Sequence, residues 1–221
     1  LTEKKKCVII EMMSKFSQYK ELIDVTIKLH FTISDKWKEY CGKNNILLFN
    51  QKKKLIKDII VNEEIENAIY KYQSFLVPRL FSILKNGDDF RVRIKDGKSI
   101  QFKIPEYMKR KEEGKVPIQD CLNDIFGIRI ITDEFINTSE IKEFIEKNYS
   151  NNEIKVIDSS KKIGENEYKA THLYFKNDNY SFRWELQVWF KDFVKSNEAS
   201  HKKHKQAYTK WTKELKKEVG E

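Results

Sequence analysis

Arginine is scarce in this chain. Arg79, Arg91, Arg93, Arg110, Arg129 and Arg183 are the only arginines among 43 basic residues, so each is more informative than any one lysine. Cysteine is scarcer. Cys7, Cys41 and Cys121 are an odd number at wide spacing, with no CxxC pair and no adjacent histidine, which excludes a disulfide framework or a zinc-finger pattern and predicts buried free thiols. Only Pro78, Pro105 and Pro117 punctuate the chain, and no Gly/Ser linker, repeat or low-complexity block occurs, which argues against a flexible two-domain layout. Long apolar runs are absent as well. Val8-Ile9-Ile10 and Ile128 to Ile131, the latter broken by Arg129, fall far short of the roughly 20 residues of a spanning helix. Glu11 ends the apolar stretch after Lys4, Lys5 and Lys6 before a signal-peptide core can form. A cytoplasmic protein with no membrane partner is therefore expected.

What remains is ample for one core. The 221 residues are 39% hydrophobic and 35% charged, with 14 Phe, a composition that is neither disordered nor fibrous. The net charge of +9 permits an anionic partner, but it is carried almost wholly by lysine and does not separate nucleic acid from nucleotide or from plain solubility.

Periodicity divides the chain into a helical region, residues 1–88, packed on a core of residues 89–221 that ends in a basic helix, one structural domain in all. From Leu55 to Leu84, apolar residues recur at three- and four-residue intervals, predicting amphipathic helices with a break near Pro78. From Phe90 the period becomes two: Phe90, Val92 and Ile94 alternate with Arg91, Arg93 and Lys95, a half-buried strand with a cationic face. Ile125 to Ile131 reads as a second strand, and Asn137-Thr138-Ser139-Glu140 opens a helix whose buried face is Ile141, Phe144 and Ile145. Two more alternating segments follow. Tyr168, Ala170, His172 and Tyr174 share one face of the first; Arg183, Glu185 and Gln187 share one face of the second, backed by Phe182, Trp184, Leu186 and Val188. From Lys191 to Glu221 nine lysines face five acids. Helices, then an α/β core, then a helix, is an α+β plan.

Four clusters carry chemistry. Arg93, Lys95, Ser99 and Lys103 stand beside Asp96-Gly97; they would suit a polyphosphate, or form the solvated face of a hairpin turning at that pair. Asp124-Ile125-Phe126-Gly127-Ile128-Arg129 places an acid at a strand mouth and an arginine inside the strand. Asp124 there suits a divalent cation and Arg129 a nucleotide, or the two are a strand-edge acid and a structural ion pair. Tyr168-Lys169-Ala170-Thr171-His172 and Glu185-Leu186-Gln187 offer an aromatic face and a carboxylate, which read equally as core and solvent-facing residues.

In order and spacing, these clusters resemble the RelA/SpoT-type alarmone synthetase domain, and in particular its small, synthetase-only class. Arg93, Lys95, Ser99 and Lys103 match the family's R-x-K-x-x-x-S-x-x-x-K element at every offset, and Asp124 to Arg129 match D-I-x-G-I-R. Tyr168 with His172 partly match G-Y-x-S-x-H, and Glu185 with Gln187 partly match E-x-Q-x-R. The resemblance implies a nucleotidyltransferase-like mixed, mainly antiparallel sheet of about five strands flanked by helices. It also implies a pyrophosphokinase that moves the β,γ-pyrophosphate of Mg²⁺-bound ATP to the 3′-hydroxyl of GDP or GTP, giving (p)ppGpp. By position, Arg93 and Arg129 would hold the adenine and Lys95, Ser99 and Lys103 the phosphates. Asp124 and Glu185 would hold Mg²⁺, Glu185 would activate the acceptor hydroxyl, and Tyr168, Lys169, His172 and Gln187 would bind the acceptor.

The chain also departs from that pattern. Glu167 stands where the family has glycine, Ala170 where it has serine and Trp189 where it has arginine, with Arg183 as the candidate replacement cation. Pro105, soon after Ser99, argues against a long helix there. No histidine among His30, His172, His201 and His204 is followed by aspartate, so the His-Asp pair of an alarmone hydrolase is not expected. Two other readings stand beside the synthetase. One is a toxic branch of the family that pyrophosphorylates the 3′ end of tRNA, with Lys202, Lys203, Lys205, Lys210, Lys213, Lys216 and Lys217, together with His201 and His204, as an RNA surface, or else a solvated helix docked by Trp211 and Leu215. The other is an inactive nucleotide- or RNA-binding module. A homo-oligomer and an antitoxin partner are both compatible with the chain.

Overall fold

The structure, a computed structural model, describes residues 19–81, 89–110, 112–163 and 166–203. Among the described residues three helices come first: α1 (Tyr19–Lys43), α2 (Ile56–Val61) and α3 (Glu63–Phe81). In α1, Ile23, Ile27, His30, Ser34, Trp37 and Cys41 recur at three- and four-residue spacing and are all buried, the stripe that docks a helix. Helix α3 begins where the Asn62 side chain accepts from the Glu64 and Ile65 amides at 3.0 and 3.2 Å, satisfying two donors that a helix start leaves unpaired. The interruption of the helical stretch therefore falls at Asn62. Pro78, where the sequence predicts the break, lies inside α3 near its end.

After β1 (Phe90–Ile94), the structure departs again from expectation. Asp96-Gly97 turns no hairpin: it opens α4 (Gly97–Arg110), with Asp96 Oδ1 accepting from the Ser99 amide at 2.7 Å. That helix runs through Pro105, against the expectation that proline would end it. Ile100 and Ile104 are buried on one face, and packing overrides the missing donor. A short turn α5 (Ile118–Cys121) leads into β2 (Phe126–Thr132) and then α6 (Thr138–Tyr149), which starts where the sequence predicts, with Asn137 accepting from the Ser139 amide at 3.1 Å.

Strands β3 (Glu153–Asp158), β4 (Lys161–Ile163), β5 (Asn166–Tyr168), β6 (Ala170–Lys176) and β7 (Trp184–Phe190) complete the β structure, and residues 194–203 form a helix, α7. The main sheet has the order β1-β2-β7-β6-β3. Its one parallel pair is β2 with β7; the other neighbours are antiparallel, so the predicted mixed, mainly antiparallel five-stranded sheet is what forms. Strands β4 and β5 pair separately, so the alternating segment around Tyr168 is split at Lys169.

One face of the sheet is apolar. Ile128, Ile130, Leu173, Phe175, Trp184, Leu186 and Val188 join Ile23, Ile27, Trp37, Tyr72 and Leu76 of α1 and α3 in one continuous buried cluster, at about 1.5–3 kcal/mol for each large side chain fully buried. Trp184 Nε1 donates to the Tyr72 hydroxyl at 2.7 Å. The described cysteines, Cys41 and Cys121, are buried free thiols; Cys7 lies outside the described residues. Burial on the far side leaves the other face of the same strands for chemistry.

Candidate active site

Because side chains alternate, the residues opposite the core line up across four strands. Register places Arg91 against Arg129 and Arg93 against Gly127, Gly127 against Glu185 and Arg129 against Gln187, and Gln187 and Glu185 against His172 and Tyr174. This face floors a cleft of about 470 Å³ lined by Arg91, Arg93, Gly127, Arg129, Glu185, Gln187 and Trp189 of the sheet, with Glu198, His201 and Lys202 of α7 above it. Four cations around one cleft repel each other and favour a polyanionic ligand.

Glu185 sits at the centre. Its Oε1 accepts from the Tyr174 hydroxyl at 2.8 Å and lies 3.1 Å from His172 Nδ1; its Oε2 accepts from Gln187 Nε2 at 2.9 Å. Burial pushes this carboxyl up, but the His172 hydrogen bond and charge, with Tyr174, outweigh it and hold the group below its ordinary range. Beside it, a Cβ on Gly127 would lie 3.8 Å from Glu185 Oε2, so the glycine keeps a side chain off the carboxylate where both residues line the cleft.

Asp124, Lys95 and Lys103 form a second cluster. Lys95 Nζ lies 2.6 Å from Asp124 Oδ2 and Lys103 Nζ 3.0 Å from Asp124 Oδ1. Burial works against the carboxylate, yet the two ammonium groups hold Asp124 well below the usual range. Burial lowers Lys95, whereas for Lys103 the attraction of Asp124 overcomes burial and raises it. Ser99 Oγ donates to Asp96 at 3.0 Å. Of the four residues of the first motif, then, only Arg93 lines the cleft; Lys95 and Lys103 are turned to Asp124, and Ser99 to its own helix start.

The acceptor candidates are dispersed. His172 links Glu185 to the Tyr168 hydroxyl, 2.9 Å from its Nε2. Tyr168 is buried, with its ring edge-on to Trp189, His172 and His201. Lys169 pairs with Glu167 at 3.1 Å, lies over the Phe193 ring at 4.5 Å, and lines a separate small cavity of about 50 Å³. Gln187 accepts from Arg129 Nε and Nη2, both at 3.3 Å, so it ties Arg129 to Glu185. Arg183 is no replacement for the missing family arginine: it precedes β7 and pairs with Asp120 and Glu153 at 2.7 and 3.1 Å.

Arg91, Trp189 and Glu198 line the cleft without having been site candidates in the sequence, and His201, read there only as part of a basic tail, lines it too. Arg91 was visible as a member of the cationic strand face. The α7 residues had no such signal, since what brings them over the sheet is tertiary: Asn197 pairs with the Lys169 amide and carbonyl at 3.0 and 2.8 Å, and Glu198 meets Arg91 at 2.5 Å. Lysines 205, 210, 213, 216 and 217, with Trp211 and Leu215, lie outside the described residues.

Asp124 and Glu185 offer the hard oxygen donors that Mg²⁺ takes. Among the described residues no three His, Cys, Asp or Glu side chains come close enough to cage a metal, so a cation here would complete its shell with phosphate oxygens and water. Glu185 borders the cleft where such a cation would sit; Asp124 would exchange an ammonium for the cation.

Residues 92–212 match the family profile described as a region found in RelA/SpoT proteins. No curated protein sequence matches the chain. Among solved structures, the chain is similar to small alarmone synthetase 1 from Bacillus subtilis, at 18% identity over 70% of this chain and 92% of that one, with a TM-score of 0.33. For small alarmone synthetase 2 from the same organism the figures are 15%, 73%, 88% and 0.35. The first of these proteins bound to its product pppGpp is 15% identical over 85% of this chain and 98% of that one, with a TM-score of 0.32. With the profile spanning more than half of its length and holding the arginine-lined cleft around Glu185, the chain belongs to the RelA/SpoT family.

Proposed function

We propose that the protein is a pyrophosphokinase that transfers the β,γ-pyrophosphate of ATP to the 3′-hydroxyl of GDP or GTP. The observation that carries this reading is a carboxylate, Glu185, held ionised and lining a cleft with three arginines. Arg93 and Arg129 bind and orient the donor, and Arg91 and Lys202 add positive charge near its phosphates. The acceptor 3′-oxygen forms a bond to the β-phosphorus, the bond from that phosphorus to the α,β-bridging oxygen breaks, and AMP leaves. The hydroxyl proton goes to Glu185, whose charge His172 and Tyr174 steady until then. Asp124 and Glu185 would hold Mg²⁺, which when bound neutralises charge on the transferring phosphates. Positioning and electrostatics supply most of the acceleration in transfers of this kind.

The test is one labelled-transfer reaction. Purified protein, Mg²⁺ and ATP labelled at the γ-phosphate are offered GDP, GTP and deacylated tRNA, and products are separated by size and charge. Label in a guanosine tetra- or pentaphosphate is the expected result. Label on tRNA would replace the acceptor and keep the donor half, and no transfer to any acceptor would overturn the reading.

A further inference from the structure

Trp189 stands where the resembling family carries arginine, and its surroundings give it a different task. The indole is buried yet borders the cleft, and the Arg129 guanidinium lies on it, Cζ 3.3 Å from the ring centroid. The imidazole of His201 stacks with the same indole at 5.4 Å and 25°. The edge of the guanidinium is fixed separately. Gln187 Oε1 accepts from both Nε and Nη2, while Gln187 Nε2 donates to Glu185 Oε2. Flipping that amide would set its NH₂ against a guanidinium and its oxygen against a carboxylate, so the orientation has no competitor. Burial pushes the Arg129 pKa down to about 10, which leaves the group cationic at neutral pH.

A guanidinium has two faces. Trp189 covers one, and Arg129 itself lines the cleft. We propose that Trp189 and Gln187 are positioning residues for purine recognition: together they lock the Arg129 guanidinium as a flat platform on which the base of the donor nucleotide stacks. The inference rests on the donor reading above. A free arginine side chain carries about 2 kcal/mol of rotamer entropy, and a guanidinium already ordered on an indole does not lose it again when the base arrives. A cation at position 189 would contribute charge but could not back Arg129 in this way, since two guanidiniums would repel.

Calorimetric titration of the wild type, Trp189→Phe, Trp189→Leu and Gln187→Met tests this, with two probes: α,β-methylene-ATP and inorganic tripolyphosphate, which has no base. Trp189→Leu and Gln187→Met are expected to weaken the analogue by about tenfold and tripolyphosphate by less than about twofold, and Trp189→Phe, which keeps an aromatic face, to retain most of the affinity. Equal loss for both probes, or undiminished analogue binding in both the Leu and Met variants, would overturn the platform alone. Failure of the wild type to bind the analogue would overturn the donor reading and the platform with it. Gln187→Met leaves the indole in place, so the test survives a poorly folded Trp189→Leu.

Discussion

Glu185 and Asp124 are both partly buried carboxylates, but they answer to different partners, and substitution should separate them. Glu185→Gln removes the proposed proton acceptor while keeping side-chain volume; transfer is expected to fall by at least about a hundredfold with ATP binding retained, and unchanged turnover would sink the assignment. Asp124→Asn instead strands two neighbouring ammonium groups in a nearly closed site. Breaking such a triad is expected to cost about 3 kcal/mol, read as a lower urea midpoint, and an unaltered midpoint would show that the lysines find other partners. At this scale the sequence is legible where a residue contradicts its surroundings. Arg129 inside an apolar strand and Asp124 at its mouth could be picked out because a charge in such a place needs a reason. Trp189 contradicts nothing, since an aromatic on a strand is ordinary, and its pairing with Arg129 emerges only from the register of β2 with β7.

At the scale of the element, periodicity was a better guide than proline. The stripes of α3 and α6 and the alternation of β1 and β7 follow the spacing of apolar residues, whereas Pro78 and Pro105 sit inside helices whose buried faces outweigh one missing hydrogen bond. Helix α1 carries a pH-sensitive element. His30 is fully buried, donates from Nε2 to the Phe182 carbonyl at 2.9 Å, and is ringed by the edges of Phe31, Phe175 and Trp184, while its Nδ1 has no partner. Burial pushes its pKa from 6.5 down to about 4. Between those values the unfolded chain takes up a proton that the folded chain refuses, so stability falls as pH drops through that window, by up to about 3 kcal/mol. Thermal melts at pH 7 and pH 5 should show a lower Tm at pH 5, and His30→Phe should reduce the difference, leaving the share of His201, which burial also pushes down to about 4. An equal pH dependence in both proteins would exclude His30 as its source.

Across the whole molecule, α7 closes the cleft from a distance in sequence that no local pattern announces. Asn197, wholly buried, satisfies both backbone groups of Lys169, and Ser196 Oγ donates to the Glu167 carbonyl at 2.7 Å. Asn197→Ala would leave that amide and carbonyl unpaired, at about 2 kcal/mol. Hydrogen exchange is expected to accelerate in peptides covering residues 166–171 and 194–203 while α1 keeps its protection; unchanged exchange there would mean that α7 is held by its other contacts. The general plan, helices followed by a sheet and a final helix, was legible because burial imposes period, while the return of α7 over the sheet depends on contacts between residues with no shared spacing. The parallel pairing of β2 with β7 has a further consequence. Only there is Arg129 set against Gln187 and Gly127 against Glu185, and α6 and four strands must be made between the two strands. Loop closure over that distance delays the pairing, so a nascent chain still short of β7 lacks Glu185, Gln187 and Trp189 and has no completed cleft; on the proposed reading, a partly synthesised copy on the ribosome is unable to spend nucleotide.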